Sequence, residues 1–231
     1  MSTVSDQAPV VTIDGPSGSG KGTVSRQLAQ RLAWHLLDSG ALYRLVALAG
    51  QLAGLAADDQ PAHARLGRSM QVAFSSDAGG NERVLLDGRE VSAQLRTESA
   101  GAGASRVAAW PAVREALLER QHAFAQTPGL IADGRDMGTV VFPQAALKIF
   151  LTATPEERAL RRYKQLKEKD SSVTLTALSL DIAERDRRDM TRAAAPLVPA
   201  ADAIVLDSTG RSVTEVTDEI YTLGRTRRLW P

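Results

Sequence analysis

Short apolar runs rich in β-branched residues recur along this chain, and longer stretches with apolar positions every three or four residues separate them. That alternation predicts parallel βαβ units and hence an α/β fold. Strands are expected at residues 10–13, 35–37, 130–132, 147–151 and 204–206. Two helix starts follow a predicted strand directly. In Thr154-Pro155-Glu156-Glu157 the proline takes the first helical position and a glutamate stands three residues after a threonine cap; Ser212-Val213-Thr214-Glu215 repeats the capping-box spacing.

One segment breaks the alternation. Residues 72–75, 84–86 and 90–91 are short β-like pieces joined by Asp77-Ala78-Gly79-Gly80-Asn81 and by Asp87-Gly88. Asp-Gly between two such pieces signals a hairpin, so residues 71–97 are expected to form a small antiparallel β insert. The chain then divides into a core over 10–62 and 98–224, an inserted subdomain over 63–97, and flexible ends at 1–9 and 225–231.

Composition narrows the function. At 231 residues the chain suits one domain carrying an insertion. Its 28 Lys+Arg against 27 Asp+Glu leave a formal charge of +1, which gives no whole-chain reason to bind nucleic acid or an anionic membrane. The absence of cysteine excludes disulfides and thiolate metal sites and fits a reducing cytoplasm. The opening MSTVSDQAP lacks the basic and apolar regions of a secretory signal, and no apolar run reaches membrane-spanning length. A cytoplasmic location is expected.

The first predicted strand runs directly into Gly15-Pro16-Ser17-Gly18-Ser19-Gly20-Lys21-Gly22-Thr23, and a helical pattern follows. Strand, glycine loop and helix are the context of a phosphate-binding loop. Glycines let successive N–H groups curl toward phosphate oxygens, the helix N-terminus adds partial positive charge, and Lys21 supplies a point charge to the β- and γ-phosphates. Gly22 stands where the strict motif has Ser or Thr, which moves the first hydroxyl to Thr23. Mg²⁺ is therefore expected to be carried mainly by the nucleotide and water, and the ending favours nucleoside monophosphate kinases over GTPases.

A second group follows the strand at 130–132: Asp133-Gly134-Arg135-Asp136-Met137-Gly138. At the carboxyl edge of a parallel sheet, Asp133 is placed to organise metal-bound water. The spacing equally allows Asp133 to cap the next helix and Arg135 to pair with Asp136. Within Asp181–Arg192, helical periodicity puts Arg185, Arg188, Asp189 and Arg192 on one face. Such a face can be a solvated ion-pair lattice, but three guanidiniums on one side suit the dispersed anionic charge of phosphoryl transfer. In 37–44, Asp38 or Ser39 can serve as an N-cap and Tyr43 as core, while 105–114 can be a plain helix junction.

Taken together, Gly-Pro-Ser-Gly-Ser-Gly-Lys-Gly-Thr (15–23), Leu-Asp-Ser-Gly-Ala-Leu-Tyr-Arg (37–44), Ala-Asp-Gly-Arg-Asp-Met-Gly-Thr-Val-Val-Phe-Pro (132–143) and Glu-Arg-Asp-x-Arg-Asp (184–189) resemble the bacterial cytidylate kinases over about residues 10–210. The resemblance implies a P-loop nucleotide kinase fold: a five-stranded parallel sheet flanked by helices, an antiparallel monophosphate-binding insert and a helical lid over about 154–175. It further implies ATP-dependent phosphorylation of CMP and dCMP with Mg²⁺, by a monomer. Ser17 and Lys21 would face ATP phosphates, and the lid residues Arg158 and Arg162 would close over them. Ser39, Tyr43 and Arg44 would line the CMP pocket, Ser105, Arg114 and Asp136 would read cytosine, and Asp189 and Arg185 would lie near the ribose. Arg44, Arg135 and Arg192 would ligate phosphate. The rivals are a kinase for UMP, AMP or shikimate, and a nucleotide-dependent switch.

Overall fold

The computed structural model describes residues 8–76, 82–167 and 174–230. In chain order its elements are β1 (Val10–Asp14), α1 (Lys21–Leu32), β2 (His35–Asp38), α2 (Ser39–Leu52), α3 (Gln60–Ser69), β3 (Val72–Ser76), β4 (Glu82–Leu86), β5 (Arg89–Glu90), α4 (Ser92–Leu95), α5 (Glu98–Val107), α6 (Pro111–His122), β6 (Leu130–Gly134), a π-helical turn (Met137–Val141), β7 (Leu147–Thr152), α7 (Pro155–Lys167), α8 (Leu175–Thr191), β8 (Ile204–Asp207) and α9 (Val213–Thr226). The expected 77–81 turn, the end of the lid at 168–173 and most of the N-terminal tail lie outside the described residues. Two compact units emerge: Met1–Asp38 with Gln121–Pro231, and Ser39–Arg120.

The first unit is built on a five-stranded parallel sheet in the order β2-β6-β1-β7-β8. All five strands are those the apolar runs predict, and each extends further, into Asp14, Asp38, Asp133-Gly134, Thr152 and Asp207. Hydrophobicity ends before the backbone ladder does, so polar side chains collect at the carboxyl edge. Register sets Asp133 opposite Ile13 on one side and Asp38 on the other. The chain leaves β1 toward β2 on one flank, while β7 and β8 lie on the other; ligands of open α/β sheets bind outside the strand ends at such a switch.

The core of this unit is Val11, Ile13, Leu28, Ile131, Leu147, Ile149, Leu151 and Ile220, closed by Trp230. Trp230 corrects the expectation of a flexible 225–231 tail. Its indole is buried, donates to the Tyr221 carbonyl at 3.2 Å and fills the space where a Cβ on Gly224 would stand. Ser212 and Glu215 form a complete capping box at the start of α9, and the Thr154 hydroxyl accepts from the Glu157 N–H at the start of α7.

The second unit carries the expected antiparallel sheet, β3-β4-β5. Asp87 and Gly88 turn it with φ of 48° and 79°, the conformation that makes Asp-Gly a hairpin signal. Helices α3 and α5 each pack on α2 in the same unit, which is therefore wider than the 63–97 segment.

Candidate active site

The glycine loop leaves β1 and enters α1 at Lys21. Gly18 and Gly20 have φ of 78° and 89°, and a Cβ on Gly18 would lie 2.9 Å from that of Arg158, so the loop can hold its course only without side chains there. Lys21 is 8% exposed and donates to the Pro16 carbonyl at 3.1 Å. Burial, then the charges of Arg135 and Arg185, pull its ammonium down to about 7, against the opposing pull of Asp133 and Asp38. At Gly22, where the strict motif has Ser or Thr, a Cβ would stand 3.1 Å from Asp133 Oδ2, a tight approach. Thr23 is exposed.

Two arginines of α7 brace this loop from behind. Arg158, 5% exposed, donates to the Ser17 and Ala153 carbonyls, each at 3.1 Å, and to Asp186 of α8 at 2.6 Å. Arg161 donates to the Ser19 carbonyl at 3.2 Å, to both the hydroxyl and the carbonyl of Ser208, and to Glu157. The expectation paired Arg158 with Arg162 on one helix face; in the structure it is Arg161 that joins Arg158 at the loop, while Arg162 donates to Gln165 of its own helix.

Beyond β6 the same unit brings together the loop after that strand and α8 with its C-cap. Arg135, from the loop after β6, donates to Asp189 of α8 at 2.9 Å. Arg192, at the C-cap of α8, donates to Asp136 at 3.4 Å and to the Ala195 carbonyl. Asp133, Asp136 and Asp189 are all buried. Burial would raise the Asp189 carboxyl, yet Arg135, Arg185 and Arg192 outweigh it and hold it below the usual carboxylate range. Arg188, expected on this face, instead pairs with Glu184 along the helix surface. Arg135 takes its place in the cluster, and Arg135 does not pair with Asp136. Nor does Asp133 cap the following π turn. That duty falls to Asp14, whose carboxylate oxygens accept the Met137 and Gly138 N–H groups at 2.8 Å each.

The remaining candidates belong to the Ser39–Arg120 unit. Ser39 and Tyr43 are buried on α2, Arg44 is half-buried beside them, and Ser105 is buried on α5. Arg114 of α6 donates to the Ala108 carbonyl at 3.3 Å and sets its guanidinium 5.9 Å from the Tyr43 ring centroid. Sequence reasoning missed Asp14, Asp186 and Ser208. Only Asp14 carries a visible signal, a carboxylate ending an otherwise apolar strand.

The family model for cytidylate kinase matches residues 11–226. A cytidylate kinase of Pseudomonas fluorescens (strain Pf0-1) is 59% identical over 214 residues, 92% of this chain and 93% of that protein. One from Pseudomonas putida (strain W619) is 57% identical, covering 94% of this chain and 96% of that one, and one from Marinomonas sp. (strain MWYL1) is 54% identical, covering 94% and 95%. Matched by the family model over residues 11–226 and by relatives 54–59% identical over more than nine-tenths of its length, the chain belongs to the cytidylate kinase family.

Proposed function

We propose that this protein transfers the γ-phosphoryl group of ATP directly to CMP or dCMP, giving ADP and CDP or dCDP. The observation that carries the reading is the Arg135, Arg185, Arg192 cluster around Asp136 and Asp189, in the unit that also holds the P-loop. One phosphate site serves any nucleoside triphosphatase. A second set of guanidiniums serves a second phosphorylated ligand, which a switch protein does not need.

In this reading Gly15–Thr23 cradle the donor phosphates, with Ser17 and Lys21 facing them, and Arg158 supports the loop by holding the Ser17 carbonyl. Arg44, Arg135 and Arg192 hold the acceptor phosphate. Arg185 shares the charge that spreads over the transferring group, and Asp189 with Arg185 lies near the ribose. An acceptor phosphate is already ionised, so no strong general base is required. The three histidines agree with this, since each spends a ring nitrogen on a backbone carbonyl: His35 on Thr127, His63 on Asp59 and His122 on Val141. Catalysis then rests on alignment and charge neutralisation.

Mg²⁺ would supply charge neutralisation at the phosphates, and Asp133, beside Gly22, would hold its water. Cytosine needs an acceptor for its amino group and a donor for its ring, and Asp136 with Ser105 and Arg114 offers both. Uracil would leave the acceptor unmatched, at a cost of about 1–3 kcal/mol, or about 5- to 150-fold. The protein acts in this reading as a cytoplasmic monomer. ADP release measured with CMP, dCMP, UMP, AMP and shikimate tests the assignment: CMP and dCMP should lead, and a preference for any of the others would overturn it.

A further inference from the structure

The π turn that follows the acceptor loop is held in an unusual way. The first N–H groups of any helical turn lack partners within it, and the N-cap side chain ordinarily supplies one. Here the N-cap is Asp136, and its carboxylate makes no capping bond; Arg192 donates to it instead. The vacant duty is met from the end of the neighbouring strand by Asp14, more than a hundred residues away in sequence, with Oδ1 accepting from the Met137 N–H and Oδ2 from the Gly138 N–H. Asp14 is 5% exposed, and burial, with the nearby charges of Asp136 and Asp133, pushes its carboxyl up to about 7, an effect that the two backbone hydrogen bonds offset only in part. The turn is closely confined where it meets β1 and β7. A Cβ on Gly138 would stand 2.8 Å from Thr12 Oγ1 and 3.2 Å from Lys148 Cδ, and Lys148 is itself anchored to the Pro143 carbonyl and to Asp202. Thus β1 and β7 fix the turn, and the turn fixes the segment immediately before it, which carries Arg135 and Asp136.

We propose that Asp14 is a positioning residue for the acceptor: by capping the Met137–Val141 turn in place of Asp136, it leaves the Asp136 carboxylate for Arg192 and sets the backbone from which Arg135 and Asp136 project. The inference rests on the reading that Arg135 and Asp136 bind the acceptor nucleotide. An asparagine at 14 retains one acceptor but presents an N–H₂ to the second backbone N–H, so the cap is half lost without a large change in volume.

The test uses the full chain with Asp14→Asn, Gly138→Ala and Arg135→Ala. In Asp14→Asn the KM for CMP should rise by at least about tenfold, while the Kd for ATP measured without CMP stays within about threefold and the circular dichroism spectrum is unchanged. Gly138→Ala should give the same split, because a methyl there crowds Thr12, Lys148 and the Asp14 carboxylate and displaces the turn from its cap; it carries the test alone if Asp14→Asn does not fold. Folded variants whose CMP KM stays within about twofold, or whose CMP KM and ATP Kd rise by one common factor, would overturn the proposal. Arg135→Ala separates this from the parent reading: an unchanged CMP KM there sinks the acceptor assignment and the positioning role with it, whereas a raised KM there beside normal Asp14 and Gly138 variants sinks only the positioning role.

Discussion

The ion pair between Arg158 and Asp186 offers the sharpest energetic prediction. Arg158→Met keeps most of the aliphatic stem and removes three hydrogen bonds, those to Ser17, Ala153 and Asp186. It also strands Asp186, whose side chain is 14% exposed and whose Oδ1 is already buried without a hydrogen-bond partner among the described residues. Breaking a buried pair by removing one partner costs about 3–5 kcal/mol, and the residual exposure of Asp186 favours the lower end, about 3 kcal/mol. For a chain of this size that corresponds to a fall in Tm of about 6–12 °C. Removing both charges is different in kind, since no ion is then left uncompensated, so Arg158→Met with Asp186→Leu should recover at least about half of the loss. Thermal unfolding of the two single variants and the double variant reads this directly. A single-variant loss below about 1 kcal/mol, or a double variant that loses the sum of the singles, would refute the reasoning.

The depressed Lys21 ammonium predicts that ATP binding takes up a proton. With its pKa near 7 in the nucleotide-free protein, Lys21 is largely neutral above that pH, and bound phosphates favour its charged form. ATP affinity should therefore weaken as pH rises above 7, by up to about tenfold per unit, and calorimetry in buffers of different ionisation enthalpy should find up to about one proton bound per ATP at pH 8. Lys21→Arg, which stays charged, should lose both signatures; persistence of the slope in that variant would assign it to another group. At Gly22 the crowding concerns Asp133: Gly22→Ala should force its carboxylate aside by a few tenths of an ångström. It should lower kcat by about tenfold with ATP Kd changed less than about threefold, and an unaltered kcat would remove Asp133 from the proposed mechanism.

The sheet was legible because each strand is a compact apolar run and each crossover helix has its own periodicity, signals that live within ten or so consecutive residues. The P-loop was legible for the same reason, its chemistry being contiguous. What the sequence hid was long-range. Helical spacing put Arg188 with Arg185 and Asp189, but it could not show that Glu184, one turn earlier, would engage Arg188, or that Arg135 would arrive from the β6 loop to bond Asp189. On α7, spacing joined Arg158 to Arg162, whereas the approach of the P-loop and Ser208 selects Arg158 and Arg161. Trp230 read as part of a charged tail because its partner is a gap, the missing side chain of Gly224. Gly22 read as a departure from a motif, and the closeness of Asp133 to it was not legible in the sequence.

The central claim is that the P-loop and the arginine cluster serve one transfer between two nucleotides. It is tested most directly by following the γ-phosphoryl group of labelled ATP with CMP present and with CMP omitted. The account predicts label on CDP in step with ADP when CMP is present, and neither labelled protein nor substantial labelled inorganic phosphate when it is absent. Label accumulating on the protein, or ADP forming at the same rate without CMP, would contradict it.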